Sequence, residues 1–234
     1  MAVTTKQLLN NALTVLGEDV IAAGDSSLTE AYHLLLLEFA NFIKEEVEEA
    51  HNWRALRSVE SVTVVANTTN IAITNANERS RLVRVLDDIK GREVPLIFDV
   101  TDTANPIPLR EMDLSEVIRR NQADDTQGTP VYFALDNTSG DGLSLYVHPR
   151  PSVNTDIDIT LVIPQDPLVF DSLDTVISLP TRAMKLGLLW WALEERGEEL
   201  GVNTVFSQQK YQTAISDSIG LDAGEQGEWQ LVPG

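Results

Sequence analysis

The chain has 234 residues, 43% of them hydrophobic, no cysteine and a formal net charge of −19. That length supports one large domain or two small ones with a real core, and the missing cysteines exclude disulfides, thiolate chemistry and cysteine-based zinc sites. The acidic balance repels phosphate backbones, so a basic nucleic-acid-binding patch is not expected, and self-repulsion favours solubility.

Thr4 or Thr5 can cap a first helix whose stripe is Leu8, Leu9, Ala12, Leu13 and Leu16, with Gly17 placed to end it. The polar start, Met1 to Lys6, lacks the apolar core of a signal peptide, and the run Leu34 to Leu37 is too short to span a bilayer. Ser27, with Glu30 three residues on, has capping-box spacing for a second helix running to about Trp53. Its buried face reads as Leu28, Tyr32, Leu35, Leu36, Phe39, Ile43, Val47 and Ala50, and its solvated side as Glu38, Lys44, Glu45, Glu48 and Glu49. A short connection predicts an antiparallel helical hairpin over 1–58.

From Val59 the period becomes two. Val62 and Val64, then Ile71 and Ile73, read as a hairpin; Leu82 to Leu86 and Val94 to Phe98 read as strands around a Lys90-Gly91 turn. Met112 to Gln122 reads as a short helix capped by Asp113. Strands at Val131 to Leu135, Leu143 to Val147 and Ile157 to Ile163 follow, with a strong turn signal from Asp136 to Gly142. The stretch 59–179 is therefore an antiparallel β domain, a small sandwich or barrel.

After Pro180 an apolar helix carries Met184, Leu188, Trp190, Trp191 and Leu193, and a last helix to Ile219 is expected to bury Val205, Phe206, Ala214 and Ile215. The fold class is α+β: helices 1–58 and 180–219 close one bundle around an inserted antiparallel β domain. A tail, 220–234, has too little apolar content to fold alone.

Chemistry is sparse. His33, His51 and His148 show no metal-ligand spacing; His33 reads as a partly exposed helix residue and His51 as a favourable charge at a helix C-terminus. Gly140 to Gly142 lies in a turn rather than at a helix start, and no nucleophile elbow is present. Asp87-Asp88 and Asp124-Asp125 are turn carboxylates by context. No catalytic residue, cofactor site or metal site is assigned. Two features stand out. Adjacent Trp190 and Trp191 point about 100° apart on a helix; one suits the core, the other the β domain or a neighbouring subunit, the alternative being one core that takes both. In the tail, Trp229, with Leu231 and Val232 near it, suits an anchor in a partner's pocket, the alternative being a frayed end.

The order of parts resembles the head-to-tail adaptor proteins of tailed bacteriophages, the group that includes tail tubular protein A of short-tailed phages. The resemblance rests on the hairpin Leu8-Leu9-Asn10-Asn11-Ala12-Leu13-Thr14-Val15-Leu16-Gly17 and the long helix ending His51-Asn52-Trp53. It continues with Thr129-Pro130-Val131-Tyr132-Phe133, Leu145-Tyr146-Val147-His148-Pro149-Arg150-Pro151, and Leu179-Pro180 leading into an apolar helix. It implies a non-enzymatic virion protein at the head–tail junction, assembled in the host cytoplasm. It also implies a homo-oligomeric ring of about twelve subunits, docked on the portal protein and holding a tail tube or nozzle protein. DNA would pass through the lumen without sequence-specific binding, and no membrane is involved. Twelve copies would carry on the order of 230 negative charges, discouraging DNA adhesion. The rival readings are a carboxylate-based glycan hydrolase and a carbohydrate-binding module using Tyr132, Phe133 and Tyr146.

Overall fold

A computed structural model describes residues 3–87, 91–123, 126–137, 142–197 and 204–227. Among them the helices are α1 (Thr5–Leu16), α2 (Ala31–Ala50), α3 (Leu114–Ala123), α4 (Thr181–Arg196) and α5 (Thr204–Gly227). The chain divides into two compact units: residues 1–56 with 165–234, and the inserted residues 57–164. The α+β class holds, with a helical unit interrupted by a β unit that is antiparallel except where Arg110–Glu111 pairs parallel with Tyr132–Phe133 and Gln127–Gly128 with Arg150–Pro151. The segment 165–179, expected with the β domain, belongs to the helical unit.

In the helical unit, α1 begins where its cap predicts. Thr4 Oγ1 accepts from the Gln7 amide at 3.3 Å, Gln7 Oε1 accepts from the Thr4 amide at 3.2 Å, and Gly17 closes the helix at φ +72°. The second capping box does not form: α2 starts at Ala31, because the Leu28 amide donates to Phe170 O at 2.9 Å and Leu28 is buried. A tertiary bond thus takes the backbone that the local box would have used. His33 is buried rather than partly exposed, its ring Nε2 3.1 Å from Asp19 O.

The larger departure is on α2. Lys44 and Glu48, read as solvated, are buried at 1% and 0% exposure and 3.0 Å apart. They receive the segment that re-enters the helical unit. Lys44 Nζ donates to Gln165 O, and the Gln165 amide donates to Glu48 Oε1 at 3.0 Å. The Gln165 side chain then donates to Val176 O (3.1 Å) and accepts from the Ser178 amide (2.8 Å). Asn41 clamps Leu168 on both backbone groups, at 3.0 and 2.7 Å. A strap without helix is held this way by side chains meeting backbone groups that would otherwise be buried unpaired. Its end, Val176–Ile177, pairs antiparallel with Val3–Thr4.

In the β unit, two sheets share one core. Thr155–Val162 is central to the first, pairing along its whole length with Arg57–Val64 (Ile157 opposite Val62) and also with Ile97–Asp99 and Arg81–Leu82. The second orders Asn70–Ile73, Leu143–His148, Tyr132–Asp136 and Arg110–Glu111. Inward residues of both, including Ile157, Ile159, Leu161, Phe133, Leu145 and Val147, are fully buried. The expected pairing of the Val62–Val64 and Ile71–Ile73 strands is not made, because they belong to different sheets. Asn67 at φ +65° turns the chain between them, its amide bonded to Pro151 O. The hairpin Arg84–Asp87 with Arg92–Pro95 is present, Gly91 at φ +59°.

Asp113 caps α3 by accepting from the Ser115 amide at 2.9 Å. On α3, hydrogen bonds from Arg119 and then Arg120 hold the half-buried Glu116 carboxyl down at about 2. A carboxyl depressed on folding stabilises above its unfolded pKa and loses that support as pH falls through its folded one. This contribution should therefore be full at neutral pH and fade between about pH 4.5 and 2. A carboxyl-carbon NMR titration of Glu116 should find its midpoint below those of ordinary surface glutamates; a midpoint above 4 would contradict the ion pair.

Candidate assembly surface

The adjacent tryptophans serve two neighbours. Trp191 meets α2, its ring 5.6 Å from Phe39 and 6.1 Å from Phe42, while Trp190 stacks on Tyr211 of α5 at 5.7 Å. The 100° step between successive helix positions lets one pair of residues on α4 bind both flanking helices. Both indoles are half-buried. α4 is packed tightly enough that a Cβ at Gly187 would come within 2.7 Å of Ile43 Cγ2 and 2.8 Å of Tyr211 Cε2.

Two polar atoms in this cluster are buried without a hydrogen bond, Trp191 Nε1 and the Tyr211 hydroxyl. Burial first, and then the charge of Glu46, push the Tyr211 phenol above its usual value. Phe42 forms the open end of the row. It is 54% exposed, stacked on Trp191, and flanked one turn away by exposed Glu38, Glu45 and Glu46. An aromatic ring standing in water over a half-buried indole, rimmed by charge, has the layout of an interface anchor with a polar rim.

Phe42 and Tyr211 escaped the sequence reading. Phe42 sits between Phe39 and Ile43 but outside the stripe, so an apolar residue on an acidic face was the available signal. Tyr211 is embedded in a polar run, yet it is 1% exposed. Val205 and Phe206, expected in the core, are 59% and 54% exposed; Lys210 lies over the Phe206 ring at 4.3 Å. α5 continues to Gly227, past the expected end at Ile219, and His51 Nε2 meets its Asp222 Oδ2 at 2.9 Å.

Beside that pair lies a cavity of about 390 Å³, lined by Trp53, Ala55, Ile177 to Thr181, Ser218, Leu221 and Asp222. Trp229, Leu231 and Val232 lie outside the described residues. So do Asp88, Asp124 and Asp125, leaving the two aspartate pairs without a described geometry. Phe133 is buried, whereas Tyr132 and Tyr146 are half-buried. Tyr132 lies 5.6 Å beneath the Arg120 guanidinium. His148 Nδ1 is 2.7 Å from Asn121 Oδ1, a buried link between α3 and its strand. Among the described residues no group of three or more His, Asp or Glu is placed to hold a metal ion, and no helix is long and apolar enough to cross a membrane.

Charge divides unevenly. The helical unit has seven Lys and Arg against twenty Asp and Glu, a net of −13; the β unit has ten against sixteen, a net of −6. A search of the curated proteins finds no match. The family model of the SU10 adaptor protein matches residues 3–231, and with nearly its whole length covered the chain belongs to the SU10 adaptor family, whose role is structural.

Proposed function

We propose that this chain is a head-to-tail adaptor: a subunit of a ring of about twelve copies that docks on the portal, prolongs the DNA channel and attaches the tail. Family membership supports the adaptor role, and the resemblance of the order of parts to head-to-tail adaptors supports the ring and its place. The observation that carries the reading furthest is Phe42, exposed and stacked on Trp191. A ring closes through two different faces of one subunit, and an aromatic anchor on one of them supplies the dominant contact. Trp190 and Trp191 then act in subunit packing, Trp191 by backing the anchor and Trp190 by holding α5. The concentration of negative charge in the helical unit suits a channel through which DNA moves without sticking.

In this reading the segment with Trp229, Leu231 and Val232 reaches the portal, and the protein acts in the virion after assembly in the host cytoplasm. The test is native mass spectrometry of the chain with and without portal rings. Rings of about twelve copies, formed alone or on the portal, are expected. Phe42→Asp should weaken each subunit contact by about 2 kcal/mol or more, roughly 30-fold, while a surface change leaves folding stability within about 0.5 kcal/mol. Deletion of 228–234 should weaken portal docking and leave α5 intact. A strict monomer that never joins the portal would overturn the ring, and undiminished docking after deletion would remove the tail's role. Glycan turnover abolished by one Asp→Asn change would instead establish the hydrolase.

A further inference from the structure

We propose that the cavity beside the His51–Asp222 pair is the seat of the chain's own C-terminal segment, with Trp229 as its anchor in the free subunit. The floor is already built: Trp53, Ile177 and Leu179 are 2%, 0% and 3% exposed, and the Trp53 indole is fixed by donating to Val47 O at 2.6 Å. The rim is apolar surface left in water, with Leu221 73% exposed beside exposed Ala55. About 390 Å³ is room for an indole and part of a neighbouring aliphatic side chain.

Reach and charge both select the tail. Leu221 lies six positions before the end of α5 at Gly227, about 9 Å along a helix axis. Trp229 lies two residues past Gly227, a span of up to about 7 Å, and its indole extends further, so a chain reversal directly after Gly227 would bring the ring back to the rim. The helical unit has only seven Lys and Arg, and two adjoin lining residues in sequence. Exposed Arg54 lies between Trp53 and Ala55, and exposed Arg182 follows Thr181 and meets Asp217 at 3.0 Å. Glu228, immediately before Trp229, is opposite in sign to both. A tether this short also holds the segment at millimolar effective concentration, which favours it over the tail of a second copy. The seat concerns the free chain and stands whether or not the portal takes the same segment; a portal that does so must first draw Trp229 out.

The absence of native cysteine allows a direct test in the full chain. Ala55→Cys with Leu231→Cys, oxidised mildly at low protein concentration, should form an intrachain disulfide at least tenfold faster than Leu231→Cys paired with Val205→Cys. Adding Trp229→Ala should slow it at least fivefold. Circular dichroism matching the unmodified chain confirms that each variant is folded; both paired sites, Ala55 and Val205, are exposed. Interchain disulfides alone would overturn the proposal in favour of a second copy's tail. A rate equal to the control would overturn the seat, and a rate indifferent to Trp229→Ala would overturn the anchor. None of these outcomes depends on portal docking.

Discussion

Lys44→Met should destabilise the protein by about 3–5 kcal/mol, a large share of the roughly 5–15 kcal/mol that holds an ordinary domain folded. Lys44 and Glu48 are almost wholly out of water and 3.0 Å apart, so removing the ammonium takes the neighbouring cation from a buried carboxylate. The same change takes the donor from Gln165 O, where the strap re-enters the helical unit. The companion variant, Lys44→Met with Glu48→Gln, removes the buried negative charge as well while leaving an acceptor for the Gln165 amide, now held by Glu48 Oε1. It should lose only about 1–3 kcal/mol, the cost of one buried unpaired carbonyl. Urea unfolding of both variants reads the difference. Equal losses would mean that the strap's hydrogen bond, and not the buried charge of Glu48, carries the effect.

Gly187→Ala should destabilise by about 1–3 kcal/mol, opposite in sign to its effect on an exposed helix, where alanine gains about 1 kcal/mol over glycine. The added Cβ would meet Ile43 Cγ2 at 2.7 Å and Tyr211 Cε2 at 2.8 Å. Both neighbours are buried, at 0% and 1% exposure, and neither has an open side to retreat into. Glycine thus buys the close approach of α4 to both α2 and α5 that lets Trp190 and Trp191 reach their partners. A double-mutant cycle with Ile43→Ala, read by thermal unfolding, should be less than additive, because the smaller side chain makes room for the new methyl. Full additivity would place the strain elsewhere.

The departures between sequence and structure share a cause. Thr4 and Gln7 formed the capping box their spacing predicts, because nothing else competes for those groups. Ser27 and Glu30 have the same spacing and did not, because Leu28 is held by Phe170, 142 positions away. Periodicity placed the strand Thr155–Val162 and its inward face correctly, yet could not say that its partner strand and Asn70–Ile73 lie in different sheets. Of the candidate assembly surface, Trp190 and Trp191 were visible as an adjacent pair that no narrow core could hold. Phe42 was not, since its exposure depends on where α4 crosses α2.

By itself the sequence determined the α+β order, a β unit inserted between helices, the first helix with both its caps, and the alternation of the core strands. These follow from local propensity and hydrophobic period, which act over a few residues. It also matches the family model over residues 3–231. Only the tertiary structure decided which polar residues go inside. Lys44 and Glu48 have the spacing of a surface ion pair and become an interior clasp because a strap from residues 165–179 covers them. Val205 and Phe206 have the look of core and stay in water, while Tyr211 is enclosed. Whether a side chain is buried depends on what arrives from elsewhere in the chain to cover it, and local spacing holds no record of that arrival.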